Sequence, residues 1–151
     1  LNPGGGGCSE PRSRHCTPTW VTKQANFEEQ NFLPPKVKKL TKLIKEAQGI
    51  IIVSPEYNGG VPGGLKNMID WISRQPHTPW QNKIYCLCGV TLGPLGTYGN
   101  FVNLSQIFLK LKGFVYGNYC GISFGEKAFD SKNQLVQSYD QKQLQSTISG
   151  F

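Results

Sequence analysis

The side chains able to hold or act on a ligand gather in one run, Ser54-Pro55-Glu56-Tyr57-Asn58-Gly59-Gly60. Tyr57 offers an aromatic face and Asn58 a donor and an acceptor, and the two glycines permit close backbone approach. That content suits a flat ligand with polar edges. It equally suits a plain turn, and residue types alone leave both readings open. Elsewhere the chemistry is thin. His77 stands alone in the proline-containing run QPHTPWQN and reads as a solvent-exposed side chain. Cys8, His15 and Cys16 offer three metal ligands, but no second Cys/His pair at finger-like spacing completes four, so no metal site is expected. No convincing nucleophile-base set occurs, and no catalytic side chain is assigned.

The elements on either side give the run its place. Ile50, Ile51, Ile52 and Val53 are four consecutive β-branched residues, the pattern of a strand covered on both faces in a parallel sheet. Pro55 removes a backbone donor and ends regular pairing. Beyond Gly64 the period turns helical, with Leu65, Met68, Ile69 and Ile72 at i, i+3, i+4 and i+7 over a helix expected to reach Arg74. The unit is strand, polar loop, helix. In open parallel sheets ligands bind beyond the carboxyl ends of the strands, which is where this loop falls.

The stretch SPEYNGGVPGGLKNMIDWISR resembles the flavin-binding loop and following helix of the NADPH-dependent FMN reductase family, with Met68 where a small residue is usual. The resemblance implies an α/β, flavodoxin-like three-layer sandwich with a central parallel sheet. It implies FMN as cofactor, framed by Pro55, Glu56, Tyr57 and Asn58, with Gly59 and Gly60 permitting its approach. A second apolar strand, Lys83–Val90, exits into Thr91-Leu92-Gly93-Pro94-Leu95-Gly96-Thr97-Tyr98-Gly99. This loop resembles the family's glycine-rich flavin contact at Gly93 and Gly96, while Thr97 stands where a second adjacent glycine is common; Thr91 and Gly93 would close the other side. The implied function is hydride transfer from NADPH or NADH through bound flavin to a small acceptor such as a quinone, free flavin or azo compound, in a homodimer.

The remaining elements follow from patterning. Pro34-Pro35 opens a helix running to about Gln48 with Gly49 as its cap, carrying Val37, Leu40, Leu43, Ile44 and Ala47 on one face and five lysines on the other. A helix over 100–112 turns Phe101, Leu104, Ile107, Phe108 and Leu111 inward and ends at Gly113. Phe114–Ser123 reads as a broken strand, and FGEKAFDSKNQLVQ resembles the family's closing segment before a last helix over Tyr139–Ile148. Trp80 is a loop anchor or a flavin-edge residue.

Residues 1–25 are read as irregular and 26–151 as the flavodoxin-like domain, altered or lacking in its first strand-helix unit. Four consecutive glycines and three prolines fall within the first twenty residues, with no apolar periodicity. Ser9, Arg12 and Ser13 only echo the family's Gly-Ser-x-Arg-x-x-Ser phosphate loop, which sits at a helix N-terminus, and Pro11 interrupts them. With Leu1 in place of a methionine, a processed or incomplete product is expected. The alternative function is therefore a truncated, non-catalytic family member acting through association with a partner or an intact subunit.

Composition sets the outer limits. A chain of 151 residues suffices for one domain with a real core. No apolar run nears the ~20 residues needed to span a bilayer, and no signal peptide is legible. Five irregularly spaced cysteines do not form a disulfide framework and point to a reducing, cytoplasmic setting. Cys86 and Cys88 share one strand face as small buried hydrophobes. The net charge of +7 concentrates at Lys36, Lys38, Lys39, Lys42 and Lys45, a solvated helix face rather than a nucleic-acid footprint.

Overall fold

The structure, a computed structural model, describes residues 34–151. The chain divides after Lys38 into two compact units. Of the first, residues 34–38 are described, and they form the opening of helix α1 (Pro35–Glu46). The second continues α1 and then carries β1 (Gly49–Val53), α2 (Gly63–Ser73), β2 (Ile84–Val90), α3 (Tyr98–Lys110), β3 (Phe114–Val115), β4 (Cys120–Ile122), α4 (Gly125–Ala128) and α5 (Ser138–Gly150). The expected boundary at 25/26 and the motifs before Pro34 lie outside the described residues. No helix among those described is long and apolar enough to cross a membrane.

The sheet is parallel throughout. β1 pairs with β2 in register Gly49 to Ile84 through Val53 to Cys88. β3 pairs with Ile84 and Tyr85, and β4 with Cys88, Gly89 and Val90. Residues 114–122 thus run along β2 as one interrupted strand, as the sequence led us to expect.

Each face has its own packing. Tyr85 stacks on Phe108 of α3 at a centroid distance of 4.0 Å, and Trp80 tilts against both rings. Ile69, Ile72, Leu87 and Leu104 are also buried. Trp80 is the loop anchor: its indole nitrogen donates to the carbonyl of Ile69 at 3.1 Å. The opposite face holds Cys86, Cys88, Cys120, Ile122 and Ala128, with Leu135 and Leu144 packed on them.

This second layer corrects the reading of β1 as covered on both faces. Ile50 and Ile52 align with Tyr85 and Leu87, whereas Ile51 and Val53 align with Cys86 and Cys88. Among the described residues, the cover on that side reaches β2 and β4 but not β1; Ile51 is 45% and Val53 73% exposed. They border an apolar trough of about 620 Å³ with Leu144 and Ile148 of α5. A β-branched run reports a preference for extended backbone, not what lies above each face.

Three smaller expectations also change. α1 stops at Glu46 and Gly49 is the first residue of β1. The Lys83 ammonium, not a glycine, closes the helix end by donating to the carbonyls of Lys45 (2.9 Å) and Ala47 (2.5 Å), a cation where the helix dipole favours one. Leu43, assigned to the apolar face, is 54% exposed, while Thr41 and Ile44 are buried and Lys39, Lys42 and Lys45 face solvent. At the end of α3 the left-handed residue is Lys112 (φ 62°), and the amides of Lys112 and Gly113 return to the carbonyls of Leu109 and Phe108. That is the Schellman pattern of carbonyl satisfaction, with a lysine where glycine is usual.

Candidate functional site

The candidate site begins where β1 ends. The Ser54 amide makes one last bond to Cys88 O at 2.9 Å, and the chain then leaves the sheet at Pro55. Tyr57 and Gly60 exchange backbone bonds, each 3.0 Å, around Asn58 (φ 51°) and Gly59 (φ 75°). Two positive φ values in a two-residue hairpin are the type I′ turn that Asn-Gly favours. The turn reading open from composition is thus true of the backbone. It carries Tyr57, 63% exposed, and Asn58 into solvent at the tip.

The second loop leaves β2 beside it. Thr91 donates its amide to Ile122 O, and its own carbonyl accepts from Gly125, fixing the loop start between β4 and α4. The Gly93 carbonyl accepts from Phe124, and Ser123 Oγ donates to Pro94 O at 2.8 Å. Thr91 and Gly93 are half-buried, while Leu92 and Leu95 are exposed. Thr97, fully buried with φ 62°, turns its hydroxyl to Gly96 O at 2.6 Å, and α3 starts from there.

The two loops meet through α3. Asn100 is fully buried, and its amide nitrogen donates to the carbonyls of Ser54 (3.3 Å) and Pro55 (3.1 Å). Its backbone N–H donates to Glu56 Oε2 at 3.0 Å. Asn103 Nδ2 bridges Gly99 O (2.7 Å) and Gly59 O (3.3 Å). The Glu56 carboxylate, expected beside a ligand, is thus engaged by the helix start. Asn100 and Asn103 were missed by the sequence reading. The signal was present for Asn100: it precedes Leu104 and Phe108 at four-residue intervals, on the stripe that turns inward, and a polar residue there must find buried partners.

Of the expected site residues, Pro55, Glu56, Tyr57, Asn58, Gly59 and Gly60 form one hairpin loop, and Thr91 and Gly93 lie on the adjoining loop. His77 is exposed, with φ 62°, away from either loop in sequence. The thiols of Cys86 and Cys120 lie under α5, and burial, reinforced by Cys88, pushes them up to about 12 and about 11. They are protonated at neutral pH and poor nucleophiles. The groups at the loops fit the edge of a flavin ring: an exposed aromatic face, a carboxamide with no partner among the described residues, and a slim hairpin whose Tyr57 and Gly60 amides are already paired with each other's carbonyls. Ser9, Arg12 and Ser13, which only echo the family's phosphate loop, lie outside the described residues.

Comparison with known proteins bears on family and fold. The family model for NADPH-dependent FMN reductases matches residues 13–127. A quinone reductase of Escherichia coli K12 is 38% identical over 91 residues, 60% of this chain and 48% of that protein. The chain thus spans about half the length of that relative. Among solved structures, the flavoenzyme NAD(P)H:(acceptor) oxidoreductase of Paracoccus denitrificans superposes with a TM-score of 0.68 at 21% identity, covering 80% of this chain and 68% of that one. The flavodoxin of Fusobacterium nucleatum, bound to flavin mononucleotide, superposes at 0.50 and 17% identity, covering 90% and 91%. The fold is flavodoxin-like.

Proposed function

The chain belongs to the NADPH-dependent FMN reductase family, and on that premise we propose that it binds FMN between the Pro55–Gly60 and Thr91–Gly93 loops and transfers reducing equivalents from NADPH or NADH to a small acceptor. Quinones, free flavins and azo compounds are the acceptor classes. One observation carries the reading: two loops at the adjoining carboxyl ends of β1 and β2 are locked together, while the side chains at the hairpin tip stay uncommitted. Bound flavin would supply the chemistry, accepting a hydride from the nicotinamide and passing electrons on.

The chain's own work is to bind and orient. Tyr57 lays an aromatic face against the ring or the incoming nicotinamide. Asn58 gives a donor and an acceptor to the ring's polar edge, and Pro55 and the backbone of Glu56 border it. Gly59 holds the positive φ of the tip, and Gly60 keeps the loop slim. Thr91 and Gly93 close the far side, and Leu92 and Leu95 beside them limit water. No side chain acts as nucleophile. We assign the protein to the cytoplasm and to a homodimer.

The test is the visible spectrum after FMN addition and gel filtration, followed by an NADPH oxidation assay with a quinone acceptor. The wild type is expected to retain flavin near stoichiometry, and Asn58→Ala with Tyr57→Ala to lose most of it without unfolding. A colourless wild-type protein would overturn the proposal. It would favour the second reading, a non-catalytic chain acting through association. The apolar trough beside Ile51 and Val53 supports that reading.

A further inference from the structure

We infer that Glu56 is a positioning residue rather than a flavin ligand: its carboxylate caps α3 from across the site and fixes how far the hairpin stands from the second loop. This deepens the reading above, and the flavin arm of its test rests on that reading.

α3 lacks a cap of its own. Thr97 occupies the capping position, yet its left-handed backbone sends the hydroxyl to Gly96 O, away from the first amides of the helix. Glu56 takes over from 44 residues upstream, accepting the N–H of Asn100, the third residue of α3, at 3.0 Å. A carboxylate is the favoured partner for a helix N-terminus on both hydrogen-bonding and dipole grounds. The approach is tight. A methyl group on Gly99 would lie 2.7 Å from Gly59 O and 3.1 Å from Glu56 Oε2, so only a bare α-carbon lets the hairpin come this close. Asn103 closes the outer side by holding Gly59 O and Gly99 O on one amide.

Two consequences separate positioning from direct contact. The Glu56 carboxylate is engaged by the helix start, so it is loss of the hydrogen bond that frees the hairpin. What the ring needs from Glu56 is geometry, and a glutamine, whose amide oxygen accepts the same N–H, supplies it.

The experiment compares wild type with Glu56→Ala, Glu56→Gln and Gly99→Ala. FMN affinity is read by flavin fluorescence titration, and hairpin protection by hydrogen exchange over residues 56–61 of the flavin-free protein. Glu56→Ala and Gly99→Ala are expected to weaken FMN binding roughly tenfold to a hundredfold, the worth of one charge-assisted bond, and to speed exchange in the hairpin. Glu56→Gln, which keeps a neutral acceptor for the same N–H, is expected to lose less, roughly fivefold to tenfold, and to keep the exchange of the hairpin close to that of wild type. A Glu56→Gln variant that binds as weakly as Glu56→Ala would overturn the inference, because the charge and not the hydrogen bond would then hold the site. Unaltered exchange in both Glu56→Ala and Gly99→Ala would overturn it as well. Should the wild type bind no FMN, the proposed function falls, and the exchange arm still decides whether Glu56 holds the hairpin.

Discussion

Asn100 is the buried polar side chain on which the approach of the hairpin to α3 depends most directly. This side chain has zero exposure, donates to two carbonyls, and leaves its own Oδ1 without a partner among the described residues. Asn100→Ala removes two neutral hydrogen bonds, together about 1–3 kcal/mol at about 0.5–1.5 each. It also removes the orphan acceptor, whose desolvation costs about 1–3 kcal/mol, and gains a few tenths from helix propensity. The buried Ser54 carbonyl is at the same time left without its donor, at about 1–3 kcal/mol, so the variant should lose about 1–3 kcal/mol in all. Asn100→Asp keeps the shape but turns an oxygen towards both carbonyls and buries a carboxylate with Glu56 nearby. The helix N-terminus returns only about 0.3–1 kcal/mol, whereas an unpaired buried charge costs about 3–5 kcal/mol. Urea denaturation of the flavin-free protein should therefore rank wild type above Asn100→Ala, and Asn100→Ala above Asn100→Asp. Equal midpoints for the two variants, at equal slope, would refute the accounting.

Two further outcomes are expected. On β1, Ile52→Ala should cost about 2–5 kcal/mol, because a buried side chain leaves a cavity, while Val53→Ser, one residue on and 73% exposed, should stay within about 1 kcal/mol; urea midpoints that fail to separate would contradict the one-sided cover of this strand. Stability should also fall as pH rises above about 9, the ordinary value of the thiols. The unfolded chain then releases protons that the native state still holds at Cys86, Cys120 and Tyr85, all raised by burial, so the unfolded state gains. A lower urea midpoint at pH 10 than at pH 8 checks this, and a rise would refute it.

Much of the architecture could be read from short-range pattern. Ile69 and Ile72, Phe101, Leu104 and Phe108 were placed inward by helical spacing and are buried. The interrupted strand after Gly113 was visible from its apolar fragments at Phe114 and Cys120. What local pattern hides is pairing between distant parts. The fate of Glu56 depends on an amide 44 residues away, and the exposure of Val53 depends on how far the cover from α5 reaches. Even the cap of α1 arrives from Lys83. Helix α4, four residues long, was not foreseen, since one turn has no periodicity to show. The family match starts at residue 13, earlier than the resemblance legible by eye from about Asn26. A family model adds weak agreement over many positions, and no single motif there stands out.

The pairing pattern of β2 bears on how the protein breathes. Among the described residues, β1, β3 and β4 bond to β2 and not to one another. Such a sheet opens by releasing one outer strand while the hub stays formed, and the strand with the thinner cover goes at the lowest free-energy cost. When that strand is β1, the bonds from α3 to Ser54, Pro55, Glu56 and Gly59 break as well, and its departure carries off the Tyr57 hairpin but spares Thr91 and Gly93. Opening of this kind splits the candidate site down its middle without unfolding the domain. The rate at which a ligand escapes would then be set by a fluctuation of the sheet as much as by the contacts the ligand makes.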